Sequence, residues 1–162
     1  GFLSVTRSAD LLTLNFPSQN PSPCDAPEAL VMGLGKTPLE CLGKEDYVAV
    51  FASEQDILDI EPDHSLLAKL DLRGIIVTAP GTEFDFVARF FAPGLDVPED
   101  PVTGSAYTHL TPYWSERLGK TRLTARQVSA RGGNLICELA GDRVLISGSA
   151  VKYMEGVIEI DA

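Results

Sequence analysis

The residues best suited to chemistry lie in one short stretch before an apolar segment, Glu99-Asp100-Pro101-Val102-Thr103-Gly104-Ser105-Ala106. Pro101 fixes its own φ angle and keeps Asp100 out of the helical region. Gly104 permits a tight turn that a side chain would block. Thr103 or Ser105 can cap the first turn of a helix, and the N–H groups left free at a helix start attract anions. The stretch therefore predicts either a carboxylic acid, Asp100, beside a cradle for a carboxylate substrate, or simply a capped loop before a core helix.

Two histidines and one arginine are further candidates. His64 follows Asp63, the predicted cap of a short helix, and we interpret it as an exposed neighbour of that cap rather than a catalyst. His109 is interpreted as a core histidine bonded to backbone, with a ligand or catalytic role as the alternative. Arg89 shares one strand face with Asp85 among apolar neighbours. For Arg89 we favour an ion pair or a loop anchor, and the alternative is a side chain that faces substrate.

Composition limits the classes of function. The chain has 162 residues, enough for one well-buried domain, and a net charge of −10, which argues against nucleic acid and anionic membranes as partners. No apolar run approaches the roughly 20 residues that span a bilayer, and no signal peptide is visible. The three cysteines, Cys24, Cys41 and Cys137, fit neither a disulfide framework nor a metal site. Buried free thiols in a reducing compartment are the interpretation, which predicts a cytoplasmic protein without a bound metal.

The hydrophobic pattern predicts more strands than helices. A central helix over 105–118, kinked at Pro112 and ended by Gly119, carries apolar residues on more than one stripe, so we expect protein around it. The short links between the other elements favour an α+β domain with a mostly antiparallel sheet that curls around this helix. The other predicted strands are 2–7 and 11–16 (a hairpin with one buried face), 46–52, 74–79, 84–91, 123–129, 134–139, 144–146 and 150–160, and the other predicted helices are 25–32 (capped by Asp25), 53–60 and 64–70.

Four segments in this order and at this spacing resemble the phenazine-biosynthesis PhzF-like family of isomerases. The stretch 99–106 resembles the site of that family, and Asp85-Phe86-Val87-Ala88-Arg89-Phe90-Phe91-Ala92-Pro93 resembles the strand before it. Leu110-Thr111-Pro112-Tyr113-Trp114 resembles the central helix, and Gln127-Val128-Ser129-Ala130-Arg131-Gly132-Gly133 resembles a late strand and turn. The resemblance covers essentially the whole chain and is specific because all four segments agree.

The resemblance implies a fold of two similar lobes, the diaminopimelate-epimerase-like architecture, with substrate in the cleft between them. Each lobe is a curved, mostly antiparallel half-barrel around a central helix. Residues 1–162 resemble the C-terminal lobe alone, and the N-terminal lobe, with the glutamate general base and partner histidine of the family, is absent from them. Asp100 corresponds to the second acid/base residue of the family. Gly104 and Ser105 correspond to the cradle that binds substrate through backbone N–H groups and a hydroxyl.

Two positions depart from the family pattern. Tyr107 stands where a histidine is usual, and Ala88 stands where a serine is frequent, so the exact substrate is not implied. Neither Cys41 nor Cys137 lies in a matching motif, which disfavours a two-cysteine racemase.

The expected function is that of the C-terminal lobe of a cofactor-independent isomerase or epimerase. It would move a proton on a small carboxylate-bearing substrate, need the missing lobe for activity, and form a homodimer. The alternative is a non-catalytic domain of the same fold that binds a small anion or a protein partner.

Overall fold

Ten strands and four α-helices make up the part of the chain that the computed structural model describes, residues 2–159. The strands are β1 (Ser4–Ser8), β2 (Leu11–Pro17), β3 (Ser22–Pro23), β4 (Glu40–Gly43), β5 (Tyr47–Val50), β6 (Ile75–Pro80), β7 (Phe86–Phe91), β8 (Arg122–Gln127), β9 (Gly133–Ala140) and β10 (Arg143–Ser149). The helices are α1 (Glu28–Leu34), α2 (Glu54–Leu58), α3 (His64–Leu67) and α4 (Ala106–Leu118), with a 3₁₀ turn at Pro93–Leu95.

All ten strands belong to one sheet, in the order β1-β2-β10-β9-β8-β7-β6-β5-β4-β3. The chain therefore starts at one edge, crosses to the other edge at β3, and returns strand by strand until β10 lies beside β2. Only the pairs β5–β6 and β7–β8 are parallel, and the other seven are antiparallel. The crossing segment passes alongside α4, where Gln19 N donates to Thr108 O at 3.0 Å. The α+β class with a mostly antiparallel sheet is confirmed.

Both faces of the central strands are buried, and successive residues alternate between two cores. In β7, Phe86, Ala88 and Phe90 pack in the core that contains α4. Val87 and Phe91 pack in the second core, beneath α1, α2 and α3. This alternation explains why β6 and β7 read as nearly continuous apolar runs in the sequence.

Helix α4 is enclosed by the sheet, as its several apolar stripes predicted. Trp114 is 3% exposed, stacks on Phe86 with ring centroids 5.7 Å apart, and donates its indole N–H to Thr78 Oγ1 at 3.0 Å. Pro112 lies inside the helix, and Gly119 ends it in the left-handed conformation at φ 65°. The sheet thus forms a half-barrel around α4, and it fixes the direction in which the N-terminal end of the helix points.

Several local predictions were wrong. Helix α1 begins at Glu28 after Pro27 rather than after a capping Asp25, and Gly33 lies within it, packed on Leu67. Strand β1 is largely exposed at the sheet edge, so its predicted buried face is absent, although the hairpin itself is confirmed.

Two strands and the end of the chain also differ from the predictions. Strands β3 and β4 were not predicted, whereas the predicted strand at 150–160 is not formed over 150–159, and residue 160 lies outside the described residues. Among residues 2–159, no helix is long and apolar enough to cross a membrane.

Candidate functional site

The loop 100–105 is the last part of the segment that connects β7 to α4, and it ends directly before the helix. Arg89, on β7, fixes the start of this loop with a bidentate pair to Glu99, at 2.8 and 3.1 Å. The same guanidinium donates to the carbonyls of Ile57 and Ile60 at 2.9 and 2.8 Å, and the Arg89 side chain is only 11% exposed. All these partners are protein groups, so Arg89 is a loop anchor, and the alternative of a substrate-facing arginine is wrong.

Gln127, at the end of β8, positions the middle of the loop. Its carboxamide accepts from Thr103 N at 2.8 Å and donates to Asp100 O at 2.7 Å and to Thr103 Oγ1 at 3.2 Å. Gln127 is 1% exposed, so these bonds are shielded from water. Ser129 adds a bond to Pro101 O at 2.8 Å. The loop is therefore held by side chains from β8 and the following turn rather than by its own turn chemistry.

Asp100 is half-buried, and one of its two carboxylate oxygens accepts a hydrogen bond within the protein. Thr103 Oγ1 donates to Asp100 Oδ2 at 2.6 Å. Because Gln127 donates to the Thr103 hydroxyl oxygen, the hydroxyl proton is directed to Asp100. The second oxygen, Oδ1, has no hydrogen-bond partner among residues 2–159, and no basic side chain there pairs with it. Asp100 thus presents one unoccupied oxygen from a fixed position.

Gly104 and Ser105 form the first residues before α4. Ala106 N, Tyr107 N and Thr108 N bond to carbonyls three residues earlier, and the N–H groups of Gly104 and Ser105 have no acceptor among residues 2–159. Neither Thr103 nor Ser105 caps the helix with its side chain, which corrects the capping prediction. Gly104 does not have a positive φ, so the predicted need for a glycine-only turn is wrong as well. What remains is the predicted cradle of two free donors at a helix start.

The Ser105 hydroxyl accepts a hydrogen bond from Arg73 Nη2 at 3.1 Å. An arginine can only donate, so the hydroxyl proton of Ser105 remains available for an acceptor outside the protein. Arg73 is held in turn by Asp46, which is fully buried and accepts from Nε at 2.9 Å and from Nη2 at 2.5 Å. The site therefore contains a cation that the sequence analysis did not identify.

His109 lies one turn into α4, with its Nε2 3.7 Å from Asp46 Oδ2. Its side chain is 1% exposed, and neither ring nitrogen has a hydrogen-bond partner among the described residues. Burial lowers the pKa of His109, and the nearby Asp46 offsets this only in part. His109 is thus a core histidine as predicted, but the expected bond to backbone is absent.

The other candidates lie outside the site. Asp63 caps α3 through Ser65 N and Leu66 N, as predicted. His64 is the first helical residue, but it is half-buried rather than exposed, and its Nδ1 is buried without a hydrogen-bond partner among the described residues. Asp85 accepts from Lys120 and from Thr124 N and joins the start of β7 to β8. Partial burial raises the pKa of Asp85, but these bonds outweigh burial and the net shift is downward.

A groove of about 1100 Å³ lies along the C-terminal half of α4, away from Asp100. Most of its charged residues are paired within the protein: Arg117 pairs with Glu40, Lys120 with Asp85 and Arg122 with Glu138, whereas Glu116 has no ion-pair partner among residues 2–159. In the described part of the chain, no three His, Cys, Asp or Glu side chains come close enough to hold a metal ion. The geometry thus favours the α4 N-terminus as the candidate site.

The family model for phenazine biosynthesis-like proteins (PhzC–PhzF) matches residues 24–156. The chain belongs to this family. An uncharacterized isomerase of Pseudomonas aeruginosa is 48% identical over 160 residues, which is 99% of this chain and 62% of that protein. A phenazine biosynthesis-like domain-containing protein of Rattus norvegicus is 33% identical over 180 residues, 98% of this chain and 62% of its own length.

A solved structure of a PhzF-family protein from Enterococcus faecalis superposes with a TM-score of 0.91 at 41% identity, over 98% of this chain and 61% of that one. The predicted family and fold class are confirmed by these matches. The chain spans about three-fifths of the length of the relatives it matches.

Proposed function

We propose that this chain is part of an isomerase that moves a proton on a small carboxylate-bearing substrate without a metal or organic cofactor. The observation that carries the proposal is the arrangement at the start of α4. Asp100 offers one unoccupied carboxylate oxygen next to two free N–H groups, from Gly104 and Ser105, and a hydroxyl that is free to donate. The name of the P. aeruginosa relative, an isomerase, supports the same reaction class.

The substrate carboxylate would bind to the donors at the helix start. Backbone N–H groups and the positive end of the helix dipole stabilise an anion there, and the Arg73 guanidinium beside Ser105 adds a full positive charge. Arg73 also fixes the orientation of the Ser105 hydroxyl, so this side chain loses less conformational entropy when the anion binds.

Asp100 would exchange a proton with the substrate through its free oxygen. General acid–base catalysis requires the acid or base within hydrogen-bond reach of the transferred proton. The Thr103 hydroxyl and the Gln127 carboxamide hold Asp100 in one position. The free oxygen of Asp100 would therefore keep a constant distance to a substrate bound at Gly104 and Ser105.

A proton shift between two atoms needs one group to remove the proton and one to return it. We propose that Asp100 is one of the two, and that the other comes from the lobe of the family to which residues 1–162 have no counterpart. The chain alone would then be inactive. The diaminopimelate-epimerase-like relationship of the two lobes is part of the same proposal.

Exchange of a carbon-bound substrate proton for deuterium from the solvent tests the proposal. The full-length protein would be incubated in D₂O with a panel of small carboxylic acids that carry an acidic C–H bond, namely unsaturated cyclic acids, hydroxy acids and amino acids. We expect exchange with at least one of them and its loss in Asp100→Asn. Asp142→Asn, in the exposed turn between β9 and β10, is the control and should exchange as the wild type does. Exchange at the wild-type rate in Asp100→Asn would rule out its catalytic role.

The alternative function is a non-catalytic domain that binds a small anion, favoured by the same free donors. Amide NMR distinguishes the two: a binder shifts the Gly104 and Ser105 signals on titration with these acids but exchanges no proton.

We also propose a homodimer in the cytoplasm. Exposed apolar side chains at the β1 edge, Phe2, Leu3 and Val5, support association. A strictly monomeric species of the full-length protein over a wide concentration range in sedimentation would contradict the dimer.

A further inference from the structure

Cys24 and Cys41 lie side by side although they are 17 positions apart in the sequence. Their sulfur atoms are 3.7 Å apart, and Cys24 N donates to Cys41 O at 3.0 Å. The pairing of β3 with β4 puts Ser22 opposite Gly43 and Pro23 opposite Leu42, so the next step of the register puts Cys24 opposite Cys41.

This register suits a disulfide bond. Directly opposed residues of antiparallel strands have Cα atoms about 4.5 to 5.5 Å apart, which lies within the roughly 4.4 to 6.8 Å that disulfides span. The sulfur atoms have to approach by less than 2 Å, roughly, which small χ rotations provide. Gly43 leaves the space for the Cys24 sulfur, because a Cβ at position 43 would lie 3.3 Å from it.

The two thiols differ in access to solvent. Cys24 is exposed, which corrects the prediction that all three cysteines are buried, whereas Cys41 is 8% exposed. Burial, and next the contact with Cys24, raise the pKa of Cys41 to about 12. An oxidant in solution therefore meets Cys24 first, and Cys41 reacts second from within the protein.

We propose that Cys24 and Cys41 form a reversible disulfide bond on exposure to a low-molecular-weight disulfide such as oxidised glutathione. The Cys24 thiolate attacks one sulfur of the reagent, which forms a mixed disulfide and releases one glutathione thiolate. Cys41 then attacks the Cys24 sulfur as its proton leaves to solvent, and the second glutathione departs as thiolate. Overall the protein loses two protons and two electrons, and one oxidised glutathione is reduced to two thiols.

The disulfide would close a loop that contains α1 and would tie the two-residue strand β3 to β4. β3 forms one edge of the sheet, and its only strand partner in the described part of the chain is β4. The oxidised form would therefore hold this edge, and the segment 18–21 that leads to it past α4, more firmly than the reduced form.

Mass spectrometry of the full-length protein tests the proposal. After incubation with oxidised glutathione and alkylation of the remaining thiols, we expect peptides joined through Cys24 and Cys41 and a mass loss for that pair of about 2 Da, the two hydrogens removed. Dithiothreitol should restore both thiols. Cys41→Ser should instead accumulate glutathione on Cys24, because the second thiol is missing.

Two further variants keep the result interpretable. Cys137→Ser removes a buried cysteine outside the pair and should form the same joined peptide as the wild type. Cys24→Ser changes an exposed side chain, so it folds even where Cys41→Ser does not, and its Cys41 should stay unmodified. Accumulation of glutathione on Cys24 of the wild type without a bond to Cys41, a disulfide only between two protein molecules, or no reaction at Cys24 would each overturn the proposal.

Discussion

Replacing Arg73 with methionine should cost more stability than replacing its partner Asp46 with asparagine, although both changes break the same ion pair. The pair is asymmetric because Asp46 is fully buried while the Arg73 side chain is 38% exposed. In Arg73→Met the carboxylate stays buried and loses both guanidinium bonds, and His109, whose Nε2 is 3.7 Å away, does not replace the charge because burial lowers its pKa. In Asp46→Asn the guanidinium can turn to water.

The magnitudes follow from this asymmetry. Breaking a buried ion pair by removing one partner costs about 3 to 5 kcal/mol. Since Arg73 is partly screened by solvent, we expect the lower end, about 3 kcal/mol, for Arg73→Met. Asp46→Asn keeps an acceptor oxygen toward Arg73 and should cost about 1 kcal/mol. Adding Asp46→Asn to Arg73→Met removes the unpaired charge and should recover about 2 kcal/mol, a non-additive result typical of groups in contact.

Urea unfolding of the four full-length proteins at pH 7, followed by circular dichroism, measures these differences as shifts of the midpoint. Arg126→Met is the control, because Arg126 is exposed on β8 and makes no ion pair among the described residues, so its effect should stay within about 0.5 kcal/mol. An Asp46→Asn variant as unstable as Arg73→Met, or a double variant no more stable than Arg73→Met, would refute the expected asymmetry of this ion pair.

Two further predictions concern the same end of α4. Burial lowers the pKa of His109, so the unfolded chain takes up a proton near pH 6.5 while the folded protein stays neutral until lower pH, and stability is lost as the pH falls below about 6.5. His109→Met should lose less stability than the wild type between pH 7.5 and 5.5 in urea unfolding, and an equal loss would contradict this. Gly133→Ala would place a Cβ 2.6 Å from Val102 Cγ2 and displace the loop 100–105. It should lower the free energy of unfolding by about 1 to 3 kcal/mol and slow deuterium exchange into substrate. Val102→Ala in the same protein should restore both thermal stability and exchange, and failure to do so would show that the clash is not the cause.

The sequence predicted the elements that carry a strong apolar signal of their own. Strand β7 is a nearly continuous apolar run, and helix α4 carries apolar residues over thirteen positions, so both were found with their ends nearly correct. Strand β4 was missed because its four residues include no β-branched or aromatic side chain, unlike those of β5, and its pairing with β5 and β3 depends on those neighbours. The opposite error occurred at 150–159, where apolar residues predict a strand but β10 already pairs with β2 and β9. A strand needs a free partner, and the local pattern does not say whether one exists.

The same limit applies to the candidate site. Asp100, Gly104 and Ser105 are contiguous and were recognised as a motif. Arg73 was missed, and Gln127 was recognised only as the start of the late segment 127–133, because they contact this loop from positions 32 and 24 residues away from their partners, Ser105 and Thr103. Their residue types gave no signal by themselves. Only the sheet order, in which β8 lies beside β7, places Gln127 next to the loop.

These distant contacts also explain why the donors at the start of α4 are free. A side-chain cap would have consumed one of the N–H groups that an anion could use. In this protein the Thr103 hydroxyl donates to Asp100, and the Ser105 oxygen accepts from Arg73, so neither caps the helix. Gln127 satisfies Thr103 N from outside the helix, and this leaves the next two N–H groups, of Gly104 and Ser105, without an acceptor among residues 2–159. The anion cradle is therefore maintained by the sheet around α4, and substitutions at Arg73 or Gln127 should alter it even though neither residue belongs to the stretch 99–106.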